Sequence, residues 1–466
     1  MTEDISQVKI KLVSKEEDET LRVPEAPLFV PVSLKRYGLS EVVNHLLGRD
    51  GQAEETRPIS FDFLIGEKLL RTTLDDYLVK NGLSNETLLE VEYTRSALPP
   101  SFLAAFSNDD WISSLDIINR DSPSVQSSNM SLLEPKIISG SYDGVVRRYN
   151  MSGKVETQFV GHSGPVKAVS WISPTRIVSA GNDRQVRLWK TSLEGHLPDD
   201  ENDTEVGKTL AILEGHKAPV SSLAVNSSTN RILSSGYDNV VCVWSTNYKD
   251  MSTVQASELD DKTLSTASKK RKKMAIQDES IRRRSPLAIL EGHSQPVEQV
   301  IFDELDSSVA YSVSQDHTIK TWDLVTSRCV DTRTTGYSLL SIVQLPSLNL
   351  LACGSSARHI NLYDPRISSN ATEQTSNIKL TGHTNFVVGL SKCPYNDNMF
   401  ASCSHDGTVK VWDVRSERPL YTITRESETP GTKNKVFAVS WDKEIGIVSG
   451  GSDKKIQINK GTDLVK

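Results

Sequence analysis

The chain has 466 residues, 37% hydrophobic and 24% charged, enough for two or more soluble domains. Its formal net charge of −7 gives no global basic field, so any contact with nucleic acid has to come from a local patch. No apolar run approaches the length of a membrane span, and the first residues have no apolar core for a signal peptide. The five cysteines show no Cys-x-x-Cys spacing, so reduced thiols in a cytosolic or nuclear protein are expected.

Residues 6–93 read as one domain. Val8, Ile10 and Leu12 alternate with polar residues, which predicts a strand. A second extended piece is expected from Thr20 to Val30. Leu39 to Leu47 predicts a short helix with Val42, Val43, Leu46 and Leu47 on its apolar face, stopped by Gly48. Phe61 to Ile65 reads as a strand, followed by a turn at Gly66 and a further extended piece to Arg71. Leu74 to Val79 suits a helical turn, and Leu88, Val91 and Tyr93 suit a closing strand. The order β-β-α-β-β-β resembles ubiquitin, although the same periodicity allows other α+β rolls.

Residues 94–100 end in Pro99-Pro100 and read as a linker. From 101 to 460 one pattern recurs: Ser-x-x-Asp-x-x-Val/Ile-x-x-Trp. It places Asp183, Asp238, Asp316 and Asp406 six residues before Trp189, Trp244, Trp322 and Trp412. Gly-His pairs precede these copies, supplying His162, His216, His293 and His383. Two further copies pair Asp143 with Tyr149 and Asp453 with Asn459. In another, Ala357 replaces the aspartate and Tyr363 the tryptophan. Such fixed-period similarity is similar to the WD40 repeat, which implies an all-β propeller of seven four-stranded blades. The resemblance assigns the His, Ser, Asp and Trp of each copy to a buried structural network, not to hydrolysis, and no Gly-x-Ser-x-Gly elbow accompanies them. Because the last repeat ends near Asn459, Ser101 to Phe106 is expected to serve as the outer strand of the last blade.

The long insertions, 118–135, 191–207, 246–285 and 365–377, fall in loops on one face, leaving the opposite face compact. The residue before each repeat aspartate points to the rim of that compact face. Tyr142, Tyr237, Gln315 and His405 are therefore candidate partner contacts. The insertion at 191–207 is acidic (Asp199, Asp200, Glu201, Asp203, Glu205). The one at 246–285 carries Lys269, Lys270, Arg271, Lys272, Lys273 and then Arg282, Arg283, Arg284 in a Ser/Thr-rich context that reads as disordered. Two basic clusters resemble a bipartite nuclear import signal and offer a second use, contact with rRNA phosphates. The acidic loop is a candidate mask for the basic one.

A ubiquitin-like domain followed by a seven-bladed WD40 propeller resembles the Notchless-like group of ribosome-assembly factors. The stretches Pro31 to Leu39, Phe61 to Leu64 and Ser312 to Asp323 are similar to the WD-repeat subunit of the complex containing pescadillo and the block-of-proliferation protein. That resemblance implies a non-enzymatic factor for the large (60S) ribosomal subunit, needed for pre-rRNA processing and resident in nucleolus and nucleoplasm. Its implied partners are a block-of-proliferation-type WD protein, a pescadillo-type protein, pre-60S particles and the ATPase midasin. It also implies that Glu86, in the loop Gly82 to Leu89, is offered to a Mg²⁺ held by midasin, with no cofactor bound by the chain itself. The Notchless paralogue and a WD40 substrate receptor of a ubiquitin ligase are the alternatives. No phosphate-binding glycine loop or metal-ligand spacing supports an enzyme.

Overall fold

Alternation in the first strand organises the N-terminal unit. The computed structural model describes residues 6–15, 18–49, 57–128, 130–192, 204–254, 278, 280–367, 378–425 and 434–460. Strand β1 (Gln7–Ser14) buries Val8, Ile10 and Leu12 on one side. It pairs antiparallel with β2 (Leu28–Pro31) and parallel with β5 (Leu89–Arg95). Strand β5 also pairs with β3 (Phe61–Ile65), which carries the short β4 (Lys68–Leu69), giving the order β2-β1-β5-β3-β4. Helix α1 (Arg36–Leu46) lays Leu39 and Val43 on this sheet, and α2 (Leu74–Asn81) adds Leu74 and Leu78 to the same core. This is the ubiquitin-like α+β roll.

Two local expectations change. The segment from Thr20 is not one extended piece: a 3-10 turn covers Glu19–Leu21, and extended pairing begins only at Leu28. The Asp18 carboxylate accepts from Thr20 N at 3.0 Å and from its hydroxyl at 2.6 Å, a local bond that competes with strand pairing. Tyr93 pins the turn from the core, its hydroxyl donating to Leu21 O at 2.7 Å and accepting from Val23 N at 2.9 Å. Helix α1 also starts at Arg36, ahead of the apolar run. Arg36 pairs with Asp62 at 2.9 Å and donates to Phe61 O, and no side chain caps that helix. A contact distant in sequence thus sets the helix start.

The compact units divide between Pro99 and Pro100. Beyond that point lie seven antiparallel sheets with four core strands each. Their innermost strands neighbour one another in sequence order, and the last (Val436–Asp442) packs on the first (Ile112–Ile118), so the ring closes. Strand β6 (Ser101–Ser107) is the outer strand of the seventh blade, pairing with Lys455–Lys460. Ser101 and Lys460 meet there although 359 residues separate them in sequence.

Two insertions do more than connect strands. Glu205–Val206 adds a fifth, parallel strand to the outer edge of blade one, opposite Thr157 and Gln158. Arg283–Arg284 does the same on blade two, opposite Ile212 and Leu213. Each comes from the loop between the third and fourth strands of the next blade. Polar residues dominate both insertions, so hydropathy gave no sign of either strand.

Candidate functional site

The repeat residues form the same chain of hydrogen bonds in four blades. Trp189 Nε1 donates to Ser179 Oγ at 2.7 Å, and Ser179 Oγ lies 2.7 Å from His162 Nε2. His162 Nδ1 lies 2.8 Å from Asp183 Oδ2. The indole can only donate, so the serine hydroxyl donates to Nε2 and the imidazole Nδ1–H donates to the carboxylate. Trp244–Ser234–His216–Asp238, Trp322–Ser312–His293–Asp316 and Trp412–Ser402–His383–Asp406 repeat it with distances of 2.7–3.0 Å. Each aspartate also accepts a backbone N–H from the residue after its histidine. Burial opposes charge on Asp183, Asp238, Asp316 and Asp406. The histidine and amide contacts outweigh it and hold all four below the ordinary carboxylate value. Burial also lowers His293 and His383. These serines are spent on structure: each Oγ is shared between an indole and an imidazole.

The blades that depart from the pattern solve the problem differently. In blade seven Arg425 takes the place of the histidine, donating to Asp453 at 2.6 Å and Ser449 Oγ at 3.0 Å. In blade one Arg147 pairs with Asp143 at 2.7 Å, and Tyr149 donates to Asn108 at 3.0 Å. Blade five, without the aspartate, has the Ser355 hydroxyl donating to His359 O at 2.8 Å and the His359 ring edge-on to Tyr337.

Around the rim of the central channel, the four sequence candidates separate into two groups. Tyr142 and His405 both pack on Phe437, at ring separations of 6.0 and 5.5 Å. Trp111 joins Tyr142 at 5.5 Å, and Phe386 joins His405 at 6.2 Å. The result is one aromatic strip across blades six, seven and one, with Trp111 44% and Phe386 43% exposed. Lys167 sits over the Tyr142 ring at 4.6 Å and donates to its hydroxyl. Tyr237 and Gln315 form the other group through Glu298, which Gln315 reaches at 2.6 Å. Burial and the neighbouring Glu298 push the Tyr237 phenol up to about 12. Beneath the rim the channel encloses about 460 Å³. Sequence reading missed Trp111, Phe386 and Phe437. The signal was available: Trp111 and Phe386 occupy the position before the inner strand where blades two, three and four have Pro165, Pro219 and Pro296.

In the N-terminal unit Glu86 occupies a turn closed by Thr87 N donating to Ser84 O at 3.1 Å. The preceding helix α2 ends at Gly82, whose φ of 64° is the left-handed conformation that glycine adopts without cost. Leu83 N then returns to Leu78 O at 2.9 Å. The Glu86 side chain is exposed and makes no hydrogen bond or ion pair among the described residues. Among those residues no group of three His, Cys, Asp or Glu could hold a metal ion.

The basic insertion differs from expectation. Lys269, Lys270, Arg271, Lys272 and Lys273 lie outside the described residues, as do Asp199, Asp200, Glu201 and Asp203. Arg282, Arg283 and Arg284 are not in a disordered segment. Arg283 pairs with Glu214 at 2.5 Å, Arg284 donates to Met251 O at 2.9 Å and Thr253 Oγ1 at 2.6 Å, and Arg282 and Arg284 both lie over the Tyr248 ring. Glu205 is not a free mask either: its carboxylate accepts from the hydroxyls of Ser192 and Thr157. Strand pairing and ion pairs outweigh the polar composition that suggested a loop.

With this geometry in view, comparison with known proteins is decisive. Residues 8–78 match the NLE (NUC135) domain, and 153–190, 207–245, 284–323 and 374–413 match the WD domain, G-beta repeat. The chain is 71% identical to the ribosome biogenesis protein YTM1 of Debaryomyces hansenii over the whole of both chains. It is 69% identical to that of Scheffersomyces stipitis and 66% to that of Candida albicans, over essentially full length in each case. The chain belongs to the YTM1 family. The full-length relatives cover both the roll and the propeller, whereas the NLE match itself ends at residue 78, ahead of Glu86. Among the described residues no helix is long and apolar enough to cross a membrane.

Proposed function

We propose that this protein is a non-enzymatic assembly factor for the large (60S) ribosomal subunit, acting in pre-rRNA processing in the nucleolus and nucleoplasm. The names of its full-length relatives support a role in ribosome biogenesis. The propeller docks on a block-of-proliferation-type WD protein within a pescadillo-type complex, through the rim that carries Tyr142 and His405. Exposed aromatic side chains with a lysine among them suit such a contact, because rigid rings bury area at little entropic cost. Glu86 is the ligand offered to a Mg²⁺ held by midasin. The observation that carries this reading is the exposed carboxylate at a turn, without a partner of its own. Mg²⁺ takes octahedral oxygen ligands and often leaves positions for an outside group. A single carboxylate–metal contact also separates under ATP-driven pulling without breaking a covalent bond. The chain supplies the carboxylate and midasin the metal.

Affinity purification of tagged protein from nuclear extract, wild type beside Glu86→Ala, tests the reading. Large-subunit precursor rRNA and pescadillo-type partners are expected in both samples. Midasin is expected to be lost from the variant, which stays trapped on its particles. Recovery of cullin-type ligase subunits without precursor rRNA would overturn the proposal, and undiminished midasin in the alanine sample would end the role of Glu86.

A further inference from the structure

The surroundings of Glu86 are unusual for a solvated loop. Between Lys80 and Glu90 it is the only charged residue. Two large apolar side chains within three residues of it stand in water: Leu83 is 38% exposed and Leu88 49%. Their placement follows from the backbone. The left-handed Gly82 reverses the chain at the end of α2, and Leu83 N returns to Leu78 O at 2.9 Å. The Ser84–Thr87 turn then closes, and the two side-chain hydroxyls at its base meet at 3.4 Å. Leu83 and Leu88, the residues on either side of that closed turn, therefore flank the corner that carries Glu86. Neither belongs to the core, to which α2 contributes Leu74 and Leu78.

An exposed apolar residue alone means little, since much of any protein surface is apolar. Two flanking one unpaired anion across a closed turn form a defined chemical pattern. We propose that Leu83 and Leu88 are an apolar collar that seals the Glu86–metal contact from water, and that the matching partner face is a divalent cation rimmed by apolar side chains. This rests on the reading of Glu86 as a ligand in trans. A lone carboxylate on Mg²⁺ in open solvent exchanges readily with water. Excluding water around it strengthens the charge–charge attraction and slows its replacement, as the dry ring around an interface hot spot does. The collar would set how long the contact lasts and leave the carboxylate to decide whether it forms.

The test uses full-length protein carrying Leu83→Ser, Leu88→Ser, both together, or Glu86→Ala. Binding to immobilised midasin is measured in Mg²⁺ buffer, with thermal melting of each variant alongside. Each leucine variant is expected to bind about tenfold more weakly, mainly through faster dissociation, and the double variant more weakly still, with melting unchanged. A double variant that binds within twofold of wild type, while Glu86→Ala loses binding, would overturn the collar and leave the ligand reading standing. Wild-type binding by Glu86→Ala would remove the ligand reading, and the collar with it.

Discussion

Arg187 holds Asp278 through two parallel hydrogen bonds, 3.0 and 2.5 Å long, across 91 residues of chain. Both side chains are almost fully enclosed, and the pair fastens the far end of the long insertion to blade two. Asp278→Ala leaves a buried guanidinium without its counter-ion. The expected cost is about 3–5 kcal/mol. Thermal melting checks the cost, and limited proteolysis is expected to cut first between 254 and 285.

Arginines 282 to 284 are part of the same fastening. Alanine at Lys269 to Lys273 together with Arg282 to Arg284 is expected to leave the protein in the cytoplasm, and unchanged nuclear accumulation would reject the import role. The two clusters are expected to differ in a second readout. Removing Arg282 to Arg284 should lower the melting temperature, because Arg283 and Arg284 are ion-paired and hydrogen-bonded. Loss of localisation with no change in melting would show that the arginines are dispensable to blade two.

Ser402→Ala removes the atom shared by Trp412 and His383. Two buried polar groups lose their partner at once, at about 1–3 kcal/mol each. A large fall in denaturation midpoint with little change in midasin binding is expected. Wild-type stability would mean that blade six does not depend on its network.

Stability should fall with acid, in two stages. His293 and His383 are lowered in the fold, so the unfolded chain binds their protons more readily. Their contribution is present above pH 6.5 and is lost as pH falls through the lower folded value. The four network aspartates are also lowered, so theirs is present above pH 3.8 and is lost below it. Asp116 runs the other way, since burial pushes it up to about 6, and it offsets part of the histidine stage. The steep loss therefore belongs below about pH 4. Melting temperatures from pH 7 to pH 3 check this, and a rise across the last unit would contradict it.

Deleting residues 101–107 should unfold the propeller instead of trimming a tail. The deletion removes the buried Phe106 ring and the whole outer ladder of blade seven. A melting transition that survives with native amplitude would show that three strands suffice there.

The sequence was most legible where one residue type has one physical job. The repeated spacing of His383, Asp406 and Trp412 resembles the WD40 repeat, and that resemblance implied both blade and network. The same holds for β6, because a repeat ending at Asn459 leaves a place that an apolar strand can fill. Reading failed where a distant partner overrides composition. Arg283 and Arg284 look like loop, yet become strand because Ile212 and Leu213 offer an open edge. Arg425 gave no sign that it replaces a histidine, because only Asp453 and Ser449 reveal it. The proposed role of Glu86 rests on likeness alone, since no spacing distinguishes a loop carboxylate that meets a metal from one that does not.

Strand β6 is among the first parts of the propeller to be synthesised, and Lys455–Lys460, against which it pairs, is among the last. The ring therefore cannot shut until that late strand has been made. A product that stops before it leaves β6 as an unpaired apolar edge, the kind of surface that invites quality control. Blade seven thus makes closure of the whole propeller a late event, however early its other blades form.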